Sequence, residues 1–203
     1  YQGHGLVDAV LVGTANDFGV SLLNGKVAFG IGNPDTTIQS TVTVNDGQSH
    51  HVVATRNGFD GTMRIYLDGV VNTNRLGPIG TRAASPNLRL GSLQTGVAYG
   101  FYNGALADVR LYNGWLDTNN LAQLVVAPTP HAHLMFDMNA GTTAVDSTGH
   151  GWNGTLINGA TWAAGYSSNA VSLNSGASNY VSLPVGVVSN LSSFTIATWV
   201  KMN

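Results

Sequence analysis

Along most of the chain, apolar and polar side chains alternate with a period of two, in short runs separated by Gly, Asn, Asp and Pro clusters. Successive side chains of an extended strand point to opposite faces, so this pattern predicts half-buried strands packed into a sandwich or barrel. In Thr62–Leu67 the apolar Met63, Ile65 and Leu67 alternate with Arg64 and Tyr66, and Asp68-Gly69 supplies a two-residue hairpin turn into Val70-Val71. Val109 and Leu111 alternate in the same way with Asp108, Arg110 and Tyr112. So do Phe194, Ile196, Thr198 and Val200 with Thr195, Ala197, Trp199 and Lys201. Further strands are predicted over 5–12, 18–23, 26–31, 37–44, 51–55, 88–91, 133–136, 170–173 and 180–183. One short helix is predicted after Asp117, which can cap it, with Leu121, Leu124 and Val125 on one face. Residues 127–132 read as a linker, because Pro128 and Pro130 lack the N–H groups that helices and sheets require.

Composition narrows the function classes. Only 9% of the 203 residues are charged, against about 25% in an ordinary globular protein. The length is that of one large β domain or two small ones. A formal net charge of −2 and the lack of any basic run argue against nucleic acid. No apolar run approaches the roughly 18 residues of a membrane-spanning helix, so membrane insertion is not expected. The chain opens at Tyr1 without a charged-then-apolar leader, which predicts a mature chain or a piece of a longer one. Richness in Gly, Ser, Thr and Asn on a nearly uncharged surface predicts an extracellular or cell-surface location.

The chain has no Cys, which excludes disulfides and thiolate chemistry. Its acidic residues are all Asp, mostly at turn positions such as Asp46-Gly47, Asp60-Gly61 and Asp68-Gly69, where Asp serves the backbone conformation. No Gly-x-Ser-x-Gly elbow is present, and Gly30-Ile31-Gly32-Asn33-Pro34 lacks the helix and Lys of a phosphate loop. These absences predict a protein that is not an enzyme.

The stretch Asp46-Gly47-Gln48-Ser49-His50-His51-Val52-Val53-Ala54-Thr55, followed by Met63-Arg64-Ile65-Tyr66-Leu67-Asp68-Gly69, resembles the laminin G-like, concanavalin A-like jelly rolls of bacterial secreted proteins. Residues 104–113 resemble that family's closing strand. His133-Leu134-Met135-Phe136-Asp137, Asp146-Ser147-Thr148-Gly149-His150-Gly151-Trp152-Asn153-Gly154 and the final Phe194–Lys201 stretch resemble its opening. The resemblance implies an all-β, antiparallel jelly-roll sandwich whose halves stand in circularly offset order: residues 1–126 of the C-terminal type, the linker 127–132, then residues 133–203 of the N-terminal type. Each half alone would leave open edges and a bare apolar face. The halves must therefore complete each other within one chain, as a permuted domain, or between chains, as a head-to-tail exchange that builds filaments; a third reading is a stretch cut across two tandem repeats. Family glycosidases use a Glu pair, which this chain lacks.

Three candidate sites follow. Asp146 and Asn153 offer hard oxygens on a tight loop, and the family resemblance adds Asp108 and Asp137, so calcium is the expected cofactor; the alternative is a turn held by its own side-chain hydrogen bonds. Tyr99, Phe101, Tyr102 and Trp115, with Asn103 and Asn113, form the candidate glycan site, because sugar rings stack on flat apolar faces; the alternative is that these rings cover a sheet edge or an interface. His131 and His133 have the spacing of a metal pair, but no third ligand accompanies them. Trp199, alternating inside a strand, reads as packing. The expected function is a non-catalytic extracellular module that binds glycans or polysaccharide or serves adhesion, or else a self-assembling subunit whose partners are copies of itself.

Overall fold

In the computed structural model the described residues are 3–9, 18–32, 34–82, 88–94, 100–118, 129–189 and 191–202. The described residues form sixteen strands, β1 (His4–Asp8), β2 (Phe18–Leu23), β3 (Lys26–Ile31), β4 (Thr36–Gln39), β5 (His50–Arg56), β6 (Thr62–Leu67), β7 (Val70–Leu76), β8 (Arg89–Leu90), β9 (Gly104–Asn113), β10 (Ala132–Leu134), β11 (Thr143–Ala144), β12 (Gly154–Ile157), β13 (Thr161–Ala164), β14 (Asn169–Leu173), β15 (Tyr180–Ser182) and β16 (Phe194–Met202). All pairings are antiparallel. The first sheet runs β11-β12-β15-β8-β1-β2-β3-β4; the second runs β13-β14-β9-β16-β5-β6-β7, with β10 also on β9. The fold is the antiparallel jelly-roll sandwich that the family resemblance implies, and of the two arrangements left open by the alternation it is the sandwich.

Several elements follow directly from local chemistry. Asp68 (φ 51°) and Gly69 (φ 83°) both take the left-handed conformation of the tight turn joining β6 to β7. β2, β3 and β6 have the bounds that the alternation sets. The predicted run 37–44 leaves the regular ladder after Gln39: the Ser40 N–H still bonds the Val27 carbonyl at 2.8 Å, but the Ser40 hydroxyl accepts from the Val27 N–H at 3.0 Å and donates to the Val42 carbonyl at 2.6 Å. β11, β12 and β13 were not anticipated; at two to four residues they are too short to show a period. The helix expected beyond Asp117 falls mostly on 119–128, outside the described residues.

The two parts of the chain share both sheets. β11, β12 and β15 continue the first sheet past β8, and β16 lies between β9 and β5 in the middle of the second. One core results, and Phe194 of β16 shows why. It is fully buried, its ring stacked at 4.2 Å on Phe18 and edge-on at 6.0 Å to Phe29. Arg56 is buried as well, donating to the carbonyls of Pro78 (2.7 Å), Gly80 (2.8 Å) and Ser192. Beside it a Cβ on Gly58 would stand 2.4 Å from the Ser192 oxygen, so only glycine permits this approach of the two parts. The ends of the chain come to the same end of the sandwich: His4 Nδ1 bonds the Phe101 carbonyl at 2.8 Å, and Met202 pairs with Gly104.

Candidate functional site

The site begins with an irregularity in β9. Against β16, Arg110 pairs with Ala197 and Ala107 with Trp199, so β9 carries one residue more than its neighbour between these points. Asp108 has φ 51°, the left-handed conformation of a bulge residue. The other edge of β9 changes partner at the same place, pairing β14 through Gly104–Leu106 and β10 through Val109–Leu111. The sheet is therefore open over Ala107.

The bulge aims Asp108 at β10. His133 Nε2 lies 2.6 Å from Asp108 Oδ1, and Arg110 clamps the same carboxylate through Nε (2.9 Å) and Nη2 (3.0 Å). Burial would raise the Asp108 carboxyl, but the His133 and Arg110 bonds and the guanidinium charge outweigh it and hold the group below its ordinary value. An ionised carboxylate only accepts, so Nε2–H of His133 donates to it. In the neutral ring, Nδ1 then accepts from the Ser147 hydroxyl at 2.9 Å.

The turn after β11 is organised by Asp146. Its Oδ1 accepts from the backbone N–H of His133 (3.0 Å) and Thr148 (3.1 Å), its Oδ2 from that of Trp152 (3.1 Å), and the Thr148 hydroxyl bonds the same carboxylate. Asn153 Oδ1 accepts from the Asp146 N–H at 2.8 Å. Asp108 and Asp146 both bond His133, the one through its ring and the other through its backbone N–H, and the calcium expected among them does not fit the donor set. Both carboxylates and the Asn153 oxygen already receive N–H or O–H donors, while Asp137 is exposed and accepts only through its carbonyl, from Asn169 Nδ2 at 3.1 Å. His131 and His133 do not pair either. The His131 ring faces His150 and Trp152, at 6.0 and 5.6 Å.

The predicted aromatic cluster is divided by β9, whose ten residues extend over roughly 33 Å. Phe101 lies before the strand, half-buried with its ring 6.4 Å from Tyr180, and Tyr102 is fully buried in the core. A buried ring offers no stacking face, so Tyr102 is corrected to a core residue. Asn103 is half-buried beside it. At the far end of β9 Asn113 is exposed, and beyond it Arg64 covers the half-buried Trp115 ring at 5.5 Å. Tyr99 lies outside the described residues.

A partly exposed aromatic pair stands elsewhere. Trp199, on the outer face of β16, stacks on Tyr166 with ring centroids 3.9 Å apart and planes at 9°. Its other neighbour is His51, at 5.1 Å. Tyr166 sits in the turn between β13 and β14, closed by the Gly165 N–H to Ser168 carbonyl bond of 2.7 Å, and is 62% exposed. On one side of the pair a cleft of about 180 Å³ is lined by Asp108, Arg110, His133 and Asn169. On the other side lies a cleft of about 200 Å³ floored by Ala105 and Ala170 and edged by Lys201. Both clefts include Ala107, Tyr166 and Trp199. The signal for this site was present in the sequence: Trp199 falls on the face of β16 that carries Thr195, Ala197 and Lys201, opposite Phe194, Ile196 and Val200.

The sequence pattern of the Laminin_G_3 family, described as the concanavalin A-like lectin/glucanases superfamily, matches residues 3–122. The chain belongs to this family. The match covers the part before the linker; residues 132–202 join the same sandwich through β10 to β16. No curated protein matches the chain. Laminin G-like membership makes this a β-sandwich of the carbohydrate-binding type, in a superfamily that includes glucanases as well as lectins.

Proposed function

We propose that the protein is a non-catalytic, extracellular or cell-surface module that binds glycans, and that Tyr166 and Trp199 form its platform. The observation that carries this reading is the exposed Tyr166 ring, stacked on Trp199 over the outer face of the second sheet. Flat apolar rings beside convergent polar groups are what a sugar ring requires. The family description supports the ligand class.

A binding role is also supported by the state of the nearest nucleophile. Ser147, His133 and Asp108 stand at the spacing of a hydrolytic relay. Yet the Ser147 N–H is bonded to the His133 carbonyl at 2.9 Å and the Thr148 N–H to Asp146. Neither amide next to the serine is available to stabilise an oxyanion. An adhesive role would use the same platform on surface-attached glycans. A self-assembling subunit is not favoured, since both sheets are completed within one chain.

A glycan array probed with the wild type, Tyr166→Ala and Trp199→Ala tests the reading. Binding by the wild type that both variants lose, with melting temperature retained in Tyr166→Ala, is the expected result. An array without a hit, or one unaffected by Tyr166→Ala, overturns it. Surface labelling of intact producing cells tests the location.

A further inference from the structure

We propose, building on the glycan-binding reading, that the ligand is an uncharged polysaccharide chain that crosses Tyr166 and places consecutive sugars in the two clefts. Neither cleft, at about 180 and 200 Å³, reaches the volume usual for a small-molecule site, about 300–1,000 Å³, but the two together do. They share Ala107, Tyr166 and Trp199 in their linings, and the Tyr166 ring stacks on Trp199 between them, so a ligand that occupies both passes over the Tyr166 ring. Both clefts mix polar and apolar groups: the first has Asn169 and Ser168 beside the Asp108–Arg110–His133 network together with Met135, and the second has Ser49 and Lys201 beside the methyl groups of Ala105 and Ala164. Hydroxyl edges and C–H faces of a pyranose ring can be met in either one.

Charge decides between uncharged and acidic glycans. Arg110, the guanidinium of the first cleft, is committed to Asp108 by two hydrogen bonds, so it does not stand free for a carboxylate or sulfate. Asp137 edges the first cleft and Lys201 the second, one charge of each sign. A uronate or sulfated sugar in the first cleft would meet Asp108 and Asp137 without an uncommitted cation to offset them.

Isothermal titration with xylo-, cello-, laminari- and manno-oligosaccharides, from monosaccharide to hexamer, and with oligogalacturonides as the charged series, tests the proposal. One uncharged series should gain about tenfold in affinity as it lengthens past the first sugar, and Tyr166→Ala should lose about as much. Ala164→Arg, on the exposed edge strand β13, fills the second cleft without touching the core. It should cancel the gain with length while leaving the melting temperature and the weak binding of the shortest sugar in place. Affinity independent of length, a gain that survives Ala164→Arg, or a preference for oligogalacturonides overturns the two-cleft proposal while the glycan-binding reading stands. The absence of binding by every series and by the array overturns both.

Discussion

His133 shows how one side chain joins two chain segments: its imidazole is shared by Asp108 and Ser147, and its backbone N–H by Asp146. Asp146 carries the larger structural role. Replacing it with Ala strands three backbone N–H groups and should cost about 2–3 kcal/mol in chemical denaturation. Burial raises its carboxyl, but the bonds from His133, Thr148 and Trp152 outweigh that and hold it below 3.8. Its contribution is therefore present above the unfolded-state value and lost as pH falls through the lower folded one. Melting curves of the wild type should drop in that acid range, and Asp146→Asn should flatten the drop. With these oxygens engaged, millimolar calcium should leave the melting temperature unchanged; a rise reversed by EDTA would restore the cation set. His50 has the opposite sign. Burial lowers its imidazole, yet bonds to Asp68 (2.9 Å) and Asp46 (3.1 Å) raise it overall above 6.5. The stability it adds is complete below about pH 6.5 and lost as pH rises through the folded value. The difference in melting temperature between wild type and His50→Gln should accordingly shrink on going from acid to mildly alkaline buffer.

At the scale of elements, β9 and β16 decide both stability and site. The extra residue in β9 turns Asp108 out of register and leaves the sheet open over Ala107, which creates the first cleft. β16 divides its side chains between the Phe18–Phe29–Phe194 contact inside and Trp199 outside. Phe194→Ala should cost about 3–5 kcal/mol, the usual range for removing a fully buried aromatic ring. Trp199→Ala should cost much less, because the residue is only half-buried. Comparison of the two by urea denaturation checks this, and equal losses would place Trp199 in the fold rather than on its surface.

For the whole molecule, the consequence of the topology is mutual dependence. The strands after the linker fill the middle of one sheet and the end of the other, so residues 1–126 and 129–203 expressed apart should each lack a cooperative transition. Mixing them should restore one. The intact chain should melt at a temperature independent of its concentration, because both sheets close without a second copy. A transition that rises with concentration would instead indicate exchange between chains.

Period-two alternation, the Asp68-Gly69 turn and the lack of Glu and Cys were sufficient to determine a β fold of sandwich or barrel kind, the bounds of β2, β3 and β6, and the residue types its chemistry must use, because side-chain direction and turn conformation are local properties of the backbone; the jelly-roll sandwich itself came from the family resemblance. The family resemblance named Asp108 and Asp146 together, as ligands of one cation. The resemblance did not reveal what lies between the two: Arg110 and the His133 ring bond Asp108 while the His133 backbone N–H bonds Asp146, through contacts that depend on a bulge and on the handover from β14 to β10. Nearness along the chain misled for Tyr102 and Trp115, since a strand separates its two ends by its full length. Tyr166 and Trp199, 33 positions apart, meet because the turn after β13 reaches across β9 to β16. Only tertiary structure fixes which strands are neighbours, so only it could assemble this pair and the two clefts beside it.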